Sequence, residues 1–356
     1  MTPQDRPPPA IDVHAHLVPP GLLDAVRAGE FSGVTVTGQA DQAGQAGPAE
    51  PDGPPVLAAG DDRLGPAGHA FTSVADRLRW MDQRSIAEQW VSPWGDLFTW
   101  HRFGPADGRR WAAVVNQTLA DMTSESGGRL RPVPAVDLSG GVAAAADDVE
   151  ALAGRLGSPA VTLSTHPVGA RSVADEALAP LWARLAGLGR PVLLHPPVNG
   201  PSCAFVPPLL QNVAGRLIDT SSALVQLMAT GLFERQPGLR VIVVHGGAML
   251  PYQIFRLDGL VRAGLLHRTE MTEAPSNVLR RLFFDTVGLD ALSIEFLVRR
   301  VGAGQVLLGS DAPFPIADPD PVATLAAADL PAPARHGIAR DNAAALAGAA
   351  RASGDR

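Results

Sequence analysis

Short apolar runs alternate with amphipathic stretches along most of the chain. Eight runs rich in Val, Ile and Leu cover residues 11–16, 87–93, 130–138, 160–165, 191–195, 239–245, 282–287 and 306–311. Near-continuous apolar segments of this length suit parallel strands buried on both faces. Between most of them the spacing turns helical. Val74, Leu78 and Met81 share one face of 74–82, and Val114, Val115, Leu119 and Met122 share one face of 111–122. Residues 174–188, 221–233 and 289–301 follow the same rule. Strand and helix alternating eight times predict an α/β fold, a (β/α)8 TIM barrel in one domain over residues 1–356. An open doubly wound sheet is the competing architecture. It calls for a glycine-rich phosphate loop after the first strand, and none is present. Residues 332–350 predict one or two closing helices, and the final ASGDR a frayed tail.

One segment breaks the alternation. Gly, Pro, Asp and Gln dominate GQADQAGQAGPAEPDGPP. Residues 31–70 are therefore expected to be an insertion after the first strand, partly disordered, either a lid or a plain surface loop.

Composition narrows the classes. The 356 residues, 46% hydrophobic, suffice for one large core. A net charge of -7 gives no reason to expect nucleic acid as a partner. No apolar run is long enough to span a bilayer, and the polar, proline-rich start MTPQDRPPPA does not read as a signal peptide. Cys203 is the single cysteine, so an intrachain disulfide is excluded; the expected compartment is the cytoplasm. Lysine is absent, and all 29 basic residues are arginine. That removes Schiff-base chemistry, a phosphate-loop lysine and a carboxylated lysine bridging two metals.

The candidate chemistry lies at the C-terminal ends of the apolar runs, where barrel enzymes build their sites. IDVHAH places His14 and His16 two apart, on one face of a strand. Two inward imidazoles are costly unless paired, and a metal satisfies both. Either they share an ion or they are two exposed histidines. PVLLHPP offers His195 as a third ligand, or as a core histidine bonded to a carbonyl. VIVVHGGAMLPY offers His245 as ligand or general acid/base, with Gly246 and Gly247 allowing close approach. VLLGSDAPFP offers Asp311 as a ligand, or as a helix cap. Asp285 and Thr286 in FFDTVG shape the site or cap a turn. Trp94, Phe98 and Phe314 follow strands and either stack on a substrate or belong to the core. A nitrogen-rich set with one carboxylate suits one divalent ion, zinc first and manganese second, with a coordination position open.

These residues carry a resemblance. IDVHAH, VADRLRWMD, LHPP, VVHGGAMLPY, FDTVG and LLGSDAPFP are similar, in order and spacing, to the amidohydrolase-related decarboxylases, from Ile11 to Asn342 outside the insertion. That family includes the α-amino-β-carboxymuconate-ε-semialdehyde, γ-resorcylate and 5-carboxyvanillate decarboxylases. The resemblance implies a barrel of the metal-dependent hydrolase type, non-oxidative loss of CO2 from a small unsaturated or aromatic carboxylic acid, and a homodimer. It implies metal ligation by His14, His16, His195 and Asp311. The resemblance places acid/base work on His245 and substrate contacts on Arg256 and His166; Asp311 is expected as a second proton-handling group and Asp285 as a further substrate contact. Arg256 matches an arginine that reaches the neighbouring subunit's site, and a guanidinium suits a carboxylate. One departure stands out: the semialdehyde decarboxylase carries a second substrate arginine nine residues before the position of Arg77, and Gly68 stands there, between Arg63 and His69. The expected substrate is therefore a different acid. A hydrolase acting on an ester, lactone, amide or C–C bond, or a hydratase, would use the same ligands. A non-catalytic binding barrel is the remaining class.

Overall fold

The computed structural model describes residues 9–37, 55–60, 62–98, 103–167, 172–198, 200–265 and 271–354. Eleven strands are present among them: β1 Ala10–Leu17, β2 Val34–Thr37, β3 Val56–Ala59, β4 Asp62–Pro66, β5 Ile86–Pro93, β6 Leu130–Pro132, β7 Val161–Ser164, β8 Val192–His195, β9 Val241–Val243, β10 Phe283–Asp285 and β11 Val306–Leu307. The order β1-β5-β6 is parallel throughout, as is β11-β10-β9-β8-β7. Two parallel bridges join these arcs, Ala15 with Ala312 and Ala135 with Thr162. The ring is therefore closed with eight parallel strands, the TIM barrel that the alternation predicts.

The predicted strands are longer than the observed ones in several places. Residues 130–138 form only the three-residue β6, because Pro132 and Pro134 bring no N–H to a ladder. Residues 306–311 form only the two-residue β11. Helices predicted at 74–82, 111–122 and 289–301 run over Val74–Gln83, Pro105–Ser124 and Ala291–Val301. Ser73 caps the first by accepting from Asp76 N, and Asp290 caps the last by accepting from Ser293 N. Helices predicted at 174–188 and 221–233 run over Ala179–Gly187 and Arg216–Ala229, and Pro20–Arg27, Val142–Arg155 and Leu250–Arg262 also belong to the outer layer. The closing segment is helical from 332 through Gly354, with a π-turn at Gly337–Asp341, so most of the expected frayed tail is helix.

Inside the ring, Ile11, Val13, Trp90, Val133, Leu193, Ile242, Val244 and Leu307 form a buried plug, joined by Ala343 and Leu346 of the last helix. Large buried side chains of this kind contribute ~1.5–3 kcal/mol each. A larger cluster between strands and helices includes Leu119, Trp182, Leu227, Phe284 and Leu297.

The insertion contains regular structure. β2, β3 and β4 pair antiparallel in that order. Val34, Leu57 and Leu64 pack with Phe71, Trp94, Leu97 and Trp111 in a third cluster. A Cβ on Gly65 would lie 2.0 Å from the Trp94 ring, so the sheet sits directly on the segment after β5. The expected partial disorder does not hold for the described residues of the insertion; most of the polar run, residues 38–54, lies outside the described residues. No described helix is long and apolar enough to cross a membrane.

Candidate metal centre and active site

Four histidine rings meet at the C-terminal mouth of the barrel. His14 and His16 come from β1, His195 ends β8, and His245 follows β9. The His14 ring centroid lies 5.0 Å from that of His16, 5.2 Å from His195 and 5.4 Å from His245. Asp311, four residues beyond β11, places Oδ1 at 3.2 Å from His16 Nε2 and 3.6 Å from His14 Nε2. His14, His16 and Asp311 bring ligand atoms within 4.8 Å of one another, and so do His14, His195 and His245. The two triads share His14.

The donor set fits a divalent ion. Asp285 Oδ2 accepts from His14 Nδ1 at 2.6 Å. Pro196 O accepts from His195 Nδ1 at 2.7 Å. His16 Nδ1 faces Ser92 Oγ at 3.1 Å and Pro93 O at 3.4 Å. These partners assign the proton to Nδ1 in each ring and leave Nε2 as a lone pair. His14 Nε2 and His16 Nε2 then face each other at 3.0 Å. Two lone pairs at that separation repel unless a cation lies between them. Bonds of ~2.0–2.1 Å to one ion place neighbouring ligand atoms roughly 3 Å apart.

The titration behaviour follows from burial and charge. Burial lowers the pKa of His195 well below the usual value, helped by the neighbouring imidazoles. Burial also lowers His16, against the pull of Asp311. For His14 burial acts downward too, but the hydrogen bond and charge of Asp285 outweigh it and the pKa rises. Burial would raise Asp311; His16 and the other imidazoles hold it at about 2. His195 and His16 thus favour the neutral form, and Asp311 the anion, the states in which each binds a metal.

His245 is different. Its Nδ1 is buried without a hydrogen-bond partner among the described residues, so no described group fixes its tautomer. Burial lowers its pKa to about 4. Its backbone φ is +56°, and Gly246, Gly247 and Ala248 also have positive φ. Glycine is required at 246 and 247: a Cβ there would meet Leu289 at 2.8 Å and the Phe284 ring at 2.7 Å. Asp285 Oδ1 accepts from Gly246 N at 3.0 Å, tying the turn to the carboxylate that holds His14.

Other expected site residues lie elsewhere. Asp285 is wholly buried and both oxygens are engaged, so the expected substrate contact gives way to a place behind His14. Thr286 Oγ1 donates to Gly309 O and also pairs with Gly309 N. His166 is partly buried, with Nδ1 3.0 Å from Thr165 Oγ1, and belongs to neither triad. Arg256 is not in the buried cluster; it is exposed on helix Leu250–Arg262, near Tyr252 and Phe255, which are 74% and 68% exposed. Phe314 packs edge-on against His16, ring centroids 5.4 Å apart, and against Trp94 at 4.9 Å, with Phe71 stacked on Trp94. Of Phe98 the backbone alone is described, in the turn Gly95–Phe98.

A closed parallel barrel with four histidines and an aspartate at its strand ends is the architecture of a metal-dependent enzyme. The chain belongs to the amidohydrolase family, whose model matches residues 11–348. It is 26% identical over 168 residues to 2-amino-3-carboxymuconate-6-semialdehyde decarboxylase of Dictyostelium discoideum, covering 46% of this chain and 45% of that protein. It is 29% identical over 175 residues to 6-methylsalicylic acid decarboxylase of Penicillium expansum, covering 48% and 53%. The chain thus spans about half the length of these curated decarboxylases. A match of 26% identity to 2-keto-4-carboxy-3-hexenedioate hydratase of Sphingobium covers 72% of this chain and 73% of that protein. In structure it is similar to 5-carboxyvanillate decarboxylase of Sphingomonas paucimobilis, with TM-score 0.76, 20% identity and coverage of 95% and 98%, a likeness of fold.

Proposed function

We propose that the protein is a metal-dependent decarboxylase that removes CO2, without oxidation, from a small aromatic or conjugated carboxylic acid. The observation that carries this reading is the convergence of Nε2 of His14, Nε2 of His16 and Oδ1 of Asp311, with His195 and His245 beside them. His14, His16, His195 and Asp311 would hold the ion, because the three rings each anchor Nδ1 and present Nε2. A divalent ion bound there supplies a positive charge that polarises a substrate oxygen. Zinc fits the nitrogen-rich set; manganese, which a structural neighbour binds, is the second candidate.

The chain's own groups do the rest. His245, whose Nδ1 has no hydrogen-bond partner among the described residues, moves a proton to the carbon that loses CO2, with Asp311 as the second proton-handling group. Proton delivery at that carbon interrupts conjugation and weakens the bond to the carboxylate. Phe314, backed by Trp94 and Phe71, offers an apolar wall next to His16 that suits a planar substrate. His166 and the exposed Arg256 are proposed substrate contacts, Arg256 across a homodimer. Tyr252 and Phe255 on the same helix and Met249 just before it, 74%, 68% and 41% exposed, support a surface covered by a second copy. The insertion acts as a lid over the mouth, its sheet seated on Trp94. The single cysteine supports a reducing compartment, the cytoplasm.

Incubation of metal-loaded protein with carboxylated phenols and unsaturated acids, with CO2 as readout, tests the proposal. Release of CO2 with loss of the substrate carboxylate is the expected result. Solvent oxygen in the product without CO2 would replace it by hydrolysis or hydration. The broad match to the hydratase makes hydration the second reading.

A further inference from the structure

One buried polar cluster is not used by the reaction as described. Asp12, Gln89 and Ser310 are 0% exposed and Arg77 3%. Arg77 Nη1 donates to Gln89 Oε1 at 2.7 Å, and Gln89 Nε2 donates to Asp12 Oδ2 at 2.7 Å. Cation and anion therefore face opposite ends of one amide, whose orientation follows from its two partners. Ser310 Oγ donates to the same Asp12 oxygen at 2.5 Å, while Asp12 Oδ1 accepts from His14 N at 3.1 Å and Ser310 N at 3.0 Å. Arg77 Nη2 donates to His16 O at 2.9 Å, and Ser310 Oγ accepts from Ala312 N at 3.1 Å.

The backbone atoms that this cluster grips belong to His14, His16 and the two residues flanking Asp311. They lie where the barrel closes with little ladder, since β11 has two residues. Asp311 itself has φ +65°, a left-handed conformation unusual outside glycine, and its N–H donates to His14 O at 2.8 Å. A buried charge is tolerated when its partners are complete, and losing one partner is costly. Such completeness at this location has a consequence for the ion, because ligand separation decides affinity.

We infer that Asp12, Gln89, Arg77 and Ser310 form a positioning device that presets the His14, His16 and Asp311 ligand atoms for the metal. The inference rests on the metal-centre reading above. In Asp12→Asn a new amide N–H opposes Gln89 Nε2, and turning Gln89 over sets its NH2 against Arg77. Asp12→Asn/Gln89→Glu removes that conflict: the amide oxygen at position 12 keeps accepting from His14 N and Ser310 N, its NH2 donates to the new carboxylate at position 89, which also accepts from Arg77, and the Ser310 hydroxyl turns to accept. The double variant also restores the single negative charge beside Arg77. Ser310→Ala deletes one hydroxyl and leaves every charge in place.

The experiment is Zn2+ affinity of the metal-free protein, by competition with a chromophoric chelator, with folding checked by circular dichroism. Asp12→Asn should weaken binding ~10–100-fold, the range typical of groups that orient metal ligands. The double variant should recover to within about threefold of wild type, and Ser310→Ala should lose roughly threefold to tenfold. Wild-type affinity in folded Asp12→Asn, or no recovery in the double variant, would overturn the inference. If Asp12→Asn does not fold, Ser310→Ala decides alone, and unchanged affinity there overturns it. A wild-type chain that takes up no Zn2+ would instead overturn the metal centre itself, and the positioning role with it.

Discussion

Asp285 and His14 are joined carboxylate to imidazole at 2.6 Å, both side chains wholly buried. The same carboxylate accepts from Gly246 N, so one residue orients the proposed metal ligand His14 and the turn bearing His245. Asp285→Asn keeps the shape but places an amide where a carboxylate fixes the His14 tautomer. Metal affinity should fall ~10–100-fold. Chelator competition on the folded variant checks this, and an unchanged affinity would remove the orienting role.

His245→Ala separates proton transfer from ligation. Turnover should drop about 10²–10⁴-fold, the span of a general acid or base, while metal content stays near wild type. Kinetics and elemental analysis on the same preparation decide it. Loss of metal would make His245 a ligand.

His14, His16, His195, His245 and Asp311 were readable because each ends an apolar run, and parallel barrel strands all deliver their ends to one mouth. The place of Asp285 was not: strand position alone does not say whether a carboxylate faces the cavity or the back of a neighbouring imidazole. Asp12 lies two before His14, and strict alternation would set it beside the rings; the register slips between Asp12 and Ala15, and its carboxylate meets Gln89 instead. The strands inside the insertion are not legible in the sequence because β2 and β3 pair across residues 38–54, a contact that no local pattern records. Apolar pattern alone overstates the length of β6, where prolines interrupt the ladder.

Acid should destabilise the metal-free protein. Unfolded imidazoles titrate near ~6.5. His16, His195 and His245 have lowered pKa values in the fold, so below ~6.5 the unfolded chain binds more protons and stability falls with pH. His14, raised, acts oppositely: its contribution is full below ~6.5 and is lost as pH rises through its folded value. Three groups outweigh one, so the Tm of chelator-treated protein should decline from about pH 6.5 toward about pH 4, where His245 titrates. Scanning calorimetry across that window checks the sign; a constant or rising Tm would contradict it.

Arg256 gives a test of the proposed dimer. Arg256→Ala should lower kcat/KM about 10–100-fold, the loss of one charge-assisted contact. If the residue serves the neighbouring site, mixing Arg256→Ala with His245→Ala should rebuild one intact site per mixed dimer. Random exchange then restores about a quarter of wild-type activity. No recovery, with mixed dimers shown by mass spectrometry, would confine Arg256 to its own chain.

The most direct test of the central claim is metal stoichiometry by mass spectrometry on wild type and on His14→Ala/His16→Ala. About one divalent ion per chain, lost in the variant, is the expected result for a mononuclear site. Wild-type protein that stays metal-free after reconstitution with zinc or manganese would contradict the account.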